Sequence, residues 1–258
     1  EIEKVTKLEY KILDTITQSQ TLNGIDYIAL SMYRNLSNYG WSNKLIFNNC
    51  SKQYVDNFIN YPLEEKEIMD NIITFKEIEN KMSLKVKNQY EVNPYPKWKF
   101  CNLNILGRKI KLDEFLELEN INFRSSKNKS NTRKLILIAG SGTGKEVIEY
   151  ALTLDDCDIV TIDICKTSLS YAIRKSREYN ITNVTFLHGD ILDLKSLNKQ
   201  FDFIISSGVL HHMDNPLDGW KILTDILKKD GLMKVGLYSK IARLCIKNIQ
   251  NEVSQFES

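Results

Sequence analysis

The sequence predicts an α/β fold in which a doubly wound parallel sheet follows a mainly helical N-terminal region. From residue 134 onward, short apolar runs alternate with helix-length segments, which is the pattern of βαβ units with right-handed crossovers. Before about residue 120, apolar residues recur at helical spacing, as in Ile2, Val5, Leu8, Ile12 and Ile16. With 258 residues, of which 42% are hydrophobic, the chain can bury a core in one or two domains.

The composition argues against several classes of protein. The net charge is +2, whereas a dedicated nucleic-acid-binding protein carries a denser basic face, so no nucleic-acid partner is expected. The five cysteines include no CxxC pair, which fits neither a disulfide framework nor a zinc site and favours reduced thiols in the cytoplasm. No apolar run is long enough to span a bilayer and no signal peptide opens the chain, so no membrane insertion is expected.

Three regions follow from the change in pattern along the chain. Residues 1–120 are predicted to be mainly helical and to serve as a contact in a homodimer, as a platform for a substrate, or as both. Residues 121–133 are the best candidate linker because they are mostly polar and carry scattered basic side chains. Residues 134–258 hold the sheet. Because the chain begins at Glu1 without an initiator Met, we expect it to be a fragment of a longer protein.

A stiff, aromatic-rich loop is predicted at residues 90–98, within the N-terminal region. Pro94 and Pro96 lack backbone donors and force the residues before them into extended conformations. The segment is therefore expected to lie outside any helix.

Five strands and three helices are predicted in the C-terminal region. The first strand is short and wholly apolar, which is typical of a central parallel strand. The predicted strands are Leu135–Ala139, Asp158–Ile162, Val184–Leu187, Phe201–Ile205 and Gly231–Tyr238. The predicted helices run from Gly144 to Leu154, from about Lys166 to Tyr179, and from about Asn215 to Leu227, the last with Trp220 expected in the core.

The turn between the first strand and its helix is rich in glycine and is the first candidate binding element. Its residues are Gly140, Ser141, Gly142, Thr143 and Gly144. Glycine permits positive φ and lets backbone amides approach a ligand closely, and the following helix N-terminus favours a carboxylate or phosphate.

Two nucleotide-binding motifs fit this turn poorly. A P-loop requires GxxxxGK followed by Ser or Thr, but Ala139 occupies the first glycine position and Glu146 follows Lys145. A dinucleotide fingerprint requires GxGxxG, whereas the spacing here is GxGxG. NAD binding is therefore disfavoured, although it stays open as an alternative.

Polar residues follow the next three strands, at the edge of the sheet where such folds bind ligands. Asp163 ends the second strand, where a carboxylate can accept both hydroxyls of a ribose. Asp190 follows the third strand and can accept a hydrogen bond from an exocyclic amine, with Ile191 as an apolar wall and His188 expected at the rim. Ser207 follows the fourth strand. The alternative is that the two carboxylates only cap helices or turns.

With these motifs, the run from Leu135 to Tyr238 resembles the class I S-adenosylmethionine-dependent methyltransferases, which have Rossmann-like folds. The resemblance implies that S-adenosylmethionine is the cofactor, that S-adenosylhomocysteine is the product, and that no metal is needed. It implies contacts to the methionine part from the glycine turn, to ribose from Asp163 and Ile164, to adenine from Asp190 and Ile191, and near the sulfonium from Ser207.

A narrower likeness involves the aromatic loop. Asn93–Trp98, combined with Gly208–Met213 and Gly236–Ser239, resembles a bacterial subgroup with an NPYPRW element, which includes protein-lysine methyltransferases of an outer-membrane protein. Lys97 stands where the pattern has Arg, which loses a planar fork of donors. Family members continue past the fifth strand with a helix and two antiparallel strands, whereas only residues 239–258 follow it here. Either the sheet is truncated or the sequence is a fragment of a longer protein, and we favour the fragment.

Candidate catalytic residues are Tyr95 and Trp98, as an aromatic lid backed by Tyr90, and His211, as a proton acceptor. The alternatives are that the aromatic residues dock the helical region on the sheet and that His211 orients its loop. The leading hypothesis is methylation of a protein lysine. A small-molecule acceptor, such as a quinone precursor or a sugar, is the second, and a non-catalytic module that binds cofactor or forms oligomers is the third.

Overall fold

The computed structural model describes residues 2–18, 24–40, 51–101, 107–121 and 133–239, together with a few isolated positions after 240. The chain divides into two compact units, Glu1–Asp70 and Asn71–Ser258. Residues 71–120, which the sequence pattern grouped with the N-terminal region, thus belong to the unit that holds the sheet. The predicted linker, residues 121–133, lies outside the described residues except for its two ends.

The N-terminal unit is helical, as predicted. Its helices are α1 (Ile2–Thr17), α2 (Gly24–Ser31), α3 (Lys52–Val55) and α4 (Tyr61–Asn71), with a π-helical turn at Asp56–Asn60. The side chains buried together in this unit are Val5, Ile12, Tyr27, Leu30, Leu36 and Ile59. The period of α1 explains its part in this cluster, because Val5 and Ile12 are seven residues apart and share one helix face.

The second unit contains a five-stranded parallel sheet in the order β3-β2-β1-β4-β5. Its strands are β1 (Lys134–Ala139), β2 (Cys157–Asp163), β3 (Val184–His188), β4 (Phe201–Ser207) and β5 (Leu227–Gly236). The doubly wound fold is confirmed. The fifth strand begins at Leu227 and ends at Gly236, earlier at both ends than its apolar run predicts.

Helices cover both faces of this sheet. The central strand β1 accordingly carries apolar side chains on both of its sides. Ile136 and Ile138 point into one buried cluster, whereas Leu137 and Ala139 point into the other. The helices that follow the strands are α7 (Lys145–Thr153), α8 (Lys166–Glu178) and α9 (Pro216–Asp225). The expectation that Trp220 is in the core is wrong, since its side chain is 38% exposed on α9.

Two further helices belong to this unit, α5 (Lys81–Val92) and α6 (Leu112–Leu118). Helix α5 includes Tyr90, which the sequence placed in a loop. The reason is that Pro94 and Pro96 restrict only themselves and the residues directly before them, so a helix can continue to Val92. The side chains of Leu112 and Leu116 bring α6 into the core cluster around β1.

A short extended segment adds to the free side of β3. Thr74 forms a parallel bridge with His188, the Phe75 amide donates to the His188 carbonyl at 2.8 Å, and the His188 amide donates to the Ile73 carbonyl at 3.3 Å. None of the helices in the described ranges is long and apolar enough to cross a bilayer.

Candidate functional site

A cavity of about 260 Å³ lies at the carboxyl ends of the strands. Every strand from β1 to β5 contributes residues at or just after its end, and α5 forms another wall. The residues from the strand ends include Gly140, Ser141, Gly142, Asp163, Ile164, Asp190, Ile191, Ser207, Val209, His212 and Tyr238. Those from the preceding segment are Ser83, Val86, Tyr90, Tyr95 and Pro96. Most of the site residues predicted from the sequence therefore meet in one place.

The glycine turn is held in a conformation and a space that only glycine fits. Gly140, Gly142 and Gly144 have φ values of +83°, +51° and +80°. A Cβ added to Gly140 would lie 2.3 Å from a methyl carbon of Val209, and one added to Gly144 would lie 2.5 Å from the Cβ of Ala172. The first contact lies in the cavity wall, whereas the second sets how closely α7 packs on α8. Gly144 and Thr143 are therefore part of the turn but are not among the residues that line the cavity.

The Asp163 carboxylate ties the tip of β2 to the glycine turn. The Gly142 amide donates to Oδ2 at 2.7 Å, and the Cys165 amide donates to Oδ1 at 2.9 Å. Burial raises the pKa of Asp163 to about 6, and these backbone hydrogen bonds oppose that rise. Each carboxylate oxygen keeps a lone pair that can accept a further donor from the cavity.

Asp190 lies at the cavity wall and is only 2% exposed. Its Oδ1 accepts a hydrogen bond from the Leu192 amide at 3.0 Å, whereas its Oδ2 has no hydrogen-bond partner within the described residues. The buried Oγ of Ser141 likewise has no hydrogen-bond partner in that part of the chain. Buried polar atoms of this kind need a partner, so two cavity residues are suited to a ligand that offers hydrogen bonds.

His188 is not at the rim of the site, as expected from the sequence, but is 2% exposed. Its Nε2 lies 3.1 Å from the Ile164 carbonyl and its Nδ1 lies 3.1 Å from the Thr74 hydroxyl. Because a carbonyl only accepts, Nε2 carries the proton and Nδ1 accepts from Thr74. Burial lowers the pKa of His188, which favours this neutral form. The residue links the cavity wall to the extended segment at β3.

The residues from Tyr95 to Cys101, which we call the strap, lie across the glycine turn and α8. The Trp98 indole donates to the Thr143 carbonyl at 3.0 Å, and the Thr143 hydroxyl donates to the Pro96 carbonyl. Trp98 is 7% exposed and packs beside Tyr171 and Ile148. Its side chain therefore supports the turn from outside the cavity, whereas Tyr95 is 73% exposed and lines the cavity mouth.

His212, rather than His211, is the histidine of this pair that lines the cavity. The His211 ring lies 3.9 Å from the Tyr238 ring and 4.2 Å from the His212 ring, measured between centroids. This packing agrees with the alternative role of orienting the loop. Within the described residues, no cluster of three metal-ligating side chains is present.

Two contributions from α5 were missed by the sequence analysis, which named only Tyr90 of this helix as a site residue. Ser83, Val86 and Tyr90 are spaced three and four residues apart, so one face of α5 lines the cavity. Glu91 reaches the N-terminus of α8, where it accepts hydrogen bonds from the amides of Lys166 at 2.9 Å and Thr167 at 3.3 Å. The spacing of the cavity residues on α5 was visible in the sequence. The cap of α8 was not, because Glu91 precedes Lys166 by 75 residues and leaves no local signal.

Replacing Glu91 by Ala is expected to lower the free energy of unfolding by about 1–2 kcal/mol, because two amides at the start of α8 lose their acceptor and its favourable negative charge. Thermal unfolding of Glu91→Ala measures this. Glu91→Gln, which keeps one side-chain acceptor, should lose less. Equal stability of Glu91→Ala and the parent protein would contradict the capping role.

Comparisons with known proteins agree with this geometry. Residues 131–256 match the family model described as a methyltransferase domain. A release factor glutamine methyltransferase of Flavobacterium psychrophilum is 32% identical over 111 residues, which cover 42% of this chain and 37% of that protein. An uncharacterized protein of Synechococcus is 29% identical over 123 residues, which cover 47% of this chain and 30% of that protein. The chain therefore spans 30% to 37% of the length of these relatives.

Two solved structures resemble part of the chain. PKMT2 from Rickettsia typhi in complex with AdoHcy superposes with a TM-score of 0.37 at 23% identity, covering 40% of this chain and 20% of that one. The YcgJ protein from Bacillus subtilis superposes with a TM-score of 0.40 at 20% identity, covering 48% of this chain and 50% of that one.

Proposed function

We propose that this chain, which carries an S-adenosylmethionine-dependent methyltransferase domain, transfers the methyl group to the side-chain amine of a protein lysine. The observation that carries the proposal is that three tyrosines, Tyr90, Tyr95 and Tyr238, line the cavity. Aromatic faces attract ammonium groups by cation–π contact. The similarity of Asn93–Trp98 to the NPYPRW element of protein-lysine methyltransferases supports the same acceptor.

The order of the strands supports a position for each part of the cofactor. Asp190 after β3 would accept from the exocyclic amine of adenine through Oδ2, and Asp163 at the end of β2 would accept from the ribose hydroxyls. The glycine turn after β1 would let the methionine part approach the backbone closely, and the buried Ser141 hydroxyl would hydrogen-bond to it. The ends of β4 and β5, with Ser207, His212 and Tyr238, would then face the acceptor.

The bound cofactor supplies an activated methyl group, and the protein supplies position and a dry environment. A lysine side chain must lose a proton before it can attack. With an ordinary lysine pKa of about 10.4, reaching the neutral amine at pH 7 costs about 4–5 kcal/mol. A side chain that removes this proton next to the cofactor would therefore have a large effect on the rate.

Mass spectrometry tests the acceptor class. The protein is incubated with S-adenosylmethionine that carries a deuterated methyl group, and with either poly-L-lysine or a mixture of hydroquinones and sugars. We expect the label on lysine Nζ atoms. Label only on oxygen or carbon atoms of the small molecules would replace this proposal with the small-molecule alternative. Asp163→Ala, expected to bind no cofactor, is the control for uncatalysed methylation.

Affinity for S-adenosylhomocysteine is expected to fall below about pH 6, the pKa of Asp163. Ribose hydroxyls donate to the charged carboxylate, so the dissociation constant should rise about tenfold per pH unit below that value. Stability should change in the opposite direction. Because folding raises this pKa, the folded state takes up a proton before the unfolded state does, and the contribution of Asp163 to stability falls as pH rises from about 4 to 6.

Calorimetric titrations between pH 5 and pH 8 measure this dependence. Asp163→Asn serves as the control, because an amide does not titrate in this range. An equally steep fall of affinity for the Asn variant and the parent protein would show that another group is responsible.

A further inference from the structure

We propose that Tyr90 and His212 form a proton relay that takes the proton from the acceptor ammonium before methyl transfer. The inference rests on the proposed function, because it requires an amine as the acceptor. It assigns a catalytic role to Tyr90, which would touch the amine, and a supporting role to His212, which would act through Tyr90.

The two side chains come from distant parts of the chain and meet at the cavity. Tyr90 lies near the end of α5, and His212 lies in the single helical turn that follows β4. The Tyr90 hydroxyl is 3.4 Å from Nε2 of His212, and the two rings meet edge to face with centroids 6.0 Å apart. Catalytic hydrogen bonds are often longer without substrate than in the reacting complex. Both residues line the cavity at the end assigned to the acceptor.

The hydrogen bond between Tyr90 and His212 defines a path for the proton from the acceptor ammonium to the imidazole. With the imidazole proton on Nδ1, Nε2 of His212 accepts from the Tyr90 hydroxyl, and the tyrosine oxygen keeps lone pairs for an N–H of the acceptor. The ammonium gives a proton to the Tyr90 oxygen as Tyr90 gives its own proton to Nε2. The products are a neutral amine, an unchanged tyrosine and an imidazolium. The amine lone pair then forms the new N–C bond, while the electron pair of the S–CH₃ bond stays on sulfur.

The surroundings favour a tyrosine that passes a proton on rather than one that stays ionised. Burial raises the pKa of Tyr90, and the nearby Tyr238 and Asp163 raise it further. A tyrosinate is therefore disfavoured, so Tyr90 needs a second group to hold the proton. The titratable groups beside this pair are Asp163 from β2, Tyr238 after β5 and His211 beside His212. Of these, His211 packs against the rings of His212 and Tyr238.

Kinetics with poly-L-lysine as the acceptor test the relay. Tyr90→Phe should lower kcat about 100-fold at pH 7 and leave the KM for S-adenosylmethionine within about twofold. The deficit should shrink as the pH approaches 10, because the acceptor amine then loses its proton to solvent. His212→Asn should behave similarly, and the double variant should be no slower than either single one, since the two residues act as a unit.

Tyr150→Phe is the matched control. Tyr150 is also a buried tyrosine with a raised pKa, but its hydroxyl is near Lys234 and its ring belongs to the core around β1. This variant should keep the parent kcat and pH profile. An unchanged kcat for Tyr90→Phe, or a deficit that is the same at every pH, would overturn the relay.

A measurement without any acceptor separates failure of the relay from failure of the proposed function. The chain has three histidines, so their ring signals can be followed by NMR as the pH is changed with S-adenosylhomocysteine bound. Because donation from Tyr90 stabilises the neutral ring, Tyr90→Phe should move the titration midpoint of His212 upward by about half a unit or more. An unmoved midpoint would overturn the relay even if lysine is methylated. A moved midpoint with label only on small molecules would leave the pairing in place and remove the lysine acceptor.

Discussion

Replacing Asp163 by alanine is expected to abolish binding of S-adenosylmethionine while the fold persists. In the proposed arrangement the carboxylate accepts two ribose hydroxyls, and hydrogen bonds to a charged group contribute about 1.5–3 kcal/mol each. Losing both would weaken binding by about 100-fold to 10,000-fold. The amides of Gly142 and Cys165 also lose their acceptor, so the glycine turn would be less well ordered for the methionine part.

Calorimetry with S-adenosylhomocysteine, together with circular dichroism, measures this effect. Asp163→Asn keeps one carbonyl oxygen, and should therefore bind more tightly than the alanine variant but more weakly than the parent protein. The thermal midpoint of both variants should change little, because removal of a buried carboxylate also removes its desolvation cost. A folded alanine variant with parent affinity would remove Asp163 from the ribose site.

Replacing Gly144 by alanine is expected to produce the largest loss of stability. The φ of +80° is strained for a residue with a side chain, and the added Cβ would lie 2.5 Å from the Cβ and 3.2 Å from the Cα of Ala172. Backbone strain of this kind costs about 1–3 kcal/mol and overpacking a further 1–3 kcal/mol. The start of α7 must move away from α8, which displaces the glycine turn and weakens cofactor binding.

The double variant Gly144→Ala with Ala172→Gly tests this reason. It removes the steric conflict and leaves the backbone strain, at a cost of about 1 kcal/mol for a glycine inside α8. Thermal unfolding should show Ala172→Gly slightly destabilised and the double variant more stable than Gly144→Ala. If the double variant were as unstable as the sum of the two single variants, close packing of the helices would not be the cause.

The sheet and the residues that line the cavity at its carboxyl edge could be predicted because both depend on local signals. An apolar run such as Leu135–Ala139 predicts a buried strand, and parallel strands bring their carboxyl ends to one edge. For this reason Gly140, Asp163 and Asp190 could be placed together without coordinates. The end of α5 was harder to predict. A proline excludes helix at its own position and directly before it, but it does not determine which earlier residue ends the helix.

Contacts between distant segments explain the remaining differences. Trp98 and Tyr95 are three residues apart in one aromatic segment, yet one is buried against α8 and the other lies at the cavity mouth. His211 and His212 are adjacent, but the His211 ring packs against Tyr238 whereas the His212 ring lines the cavity. Sequence spacing does not predict which residue of such a pair lines the cavity, because this depends on contacts with side chains that are distant in the sequence.

The strap and α5 have a consequence for the limits of the catalytic unit. The part of the chain that matches the methyltransferase family model begins at residue 131, but Ser83, Val86, Tyr90, Tyr95 and Pro96 also line the cavity. A recombinant piece cut at the start of the family match would retain the whole sheet but would lack these five residues of the cavity lining. We therefore expect the smallest piece with methyltransferase activity to start upstream of α5, because α5 and the residues after it line the same cavity as the glycine turn.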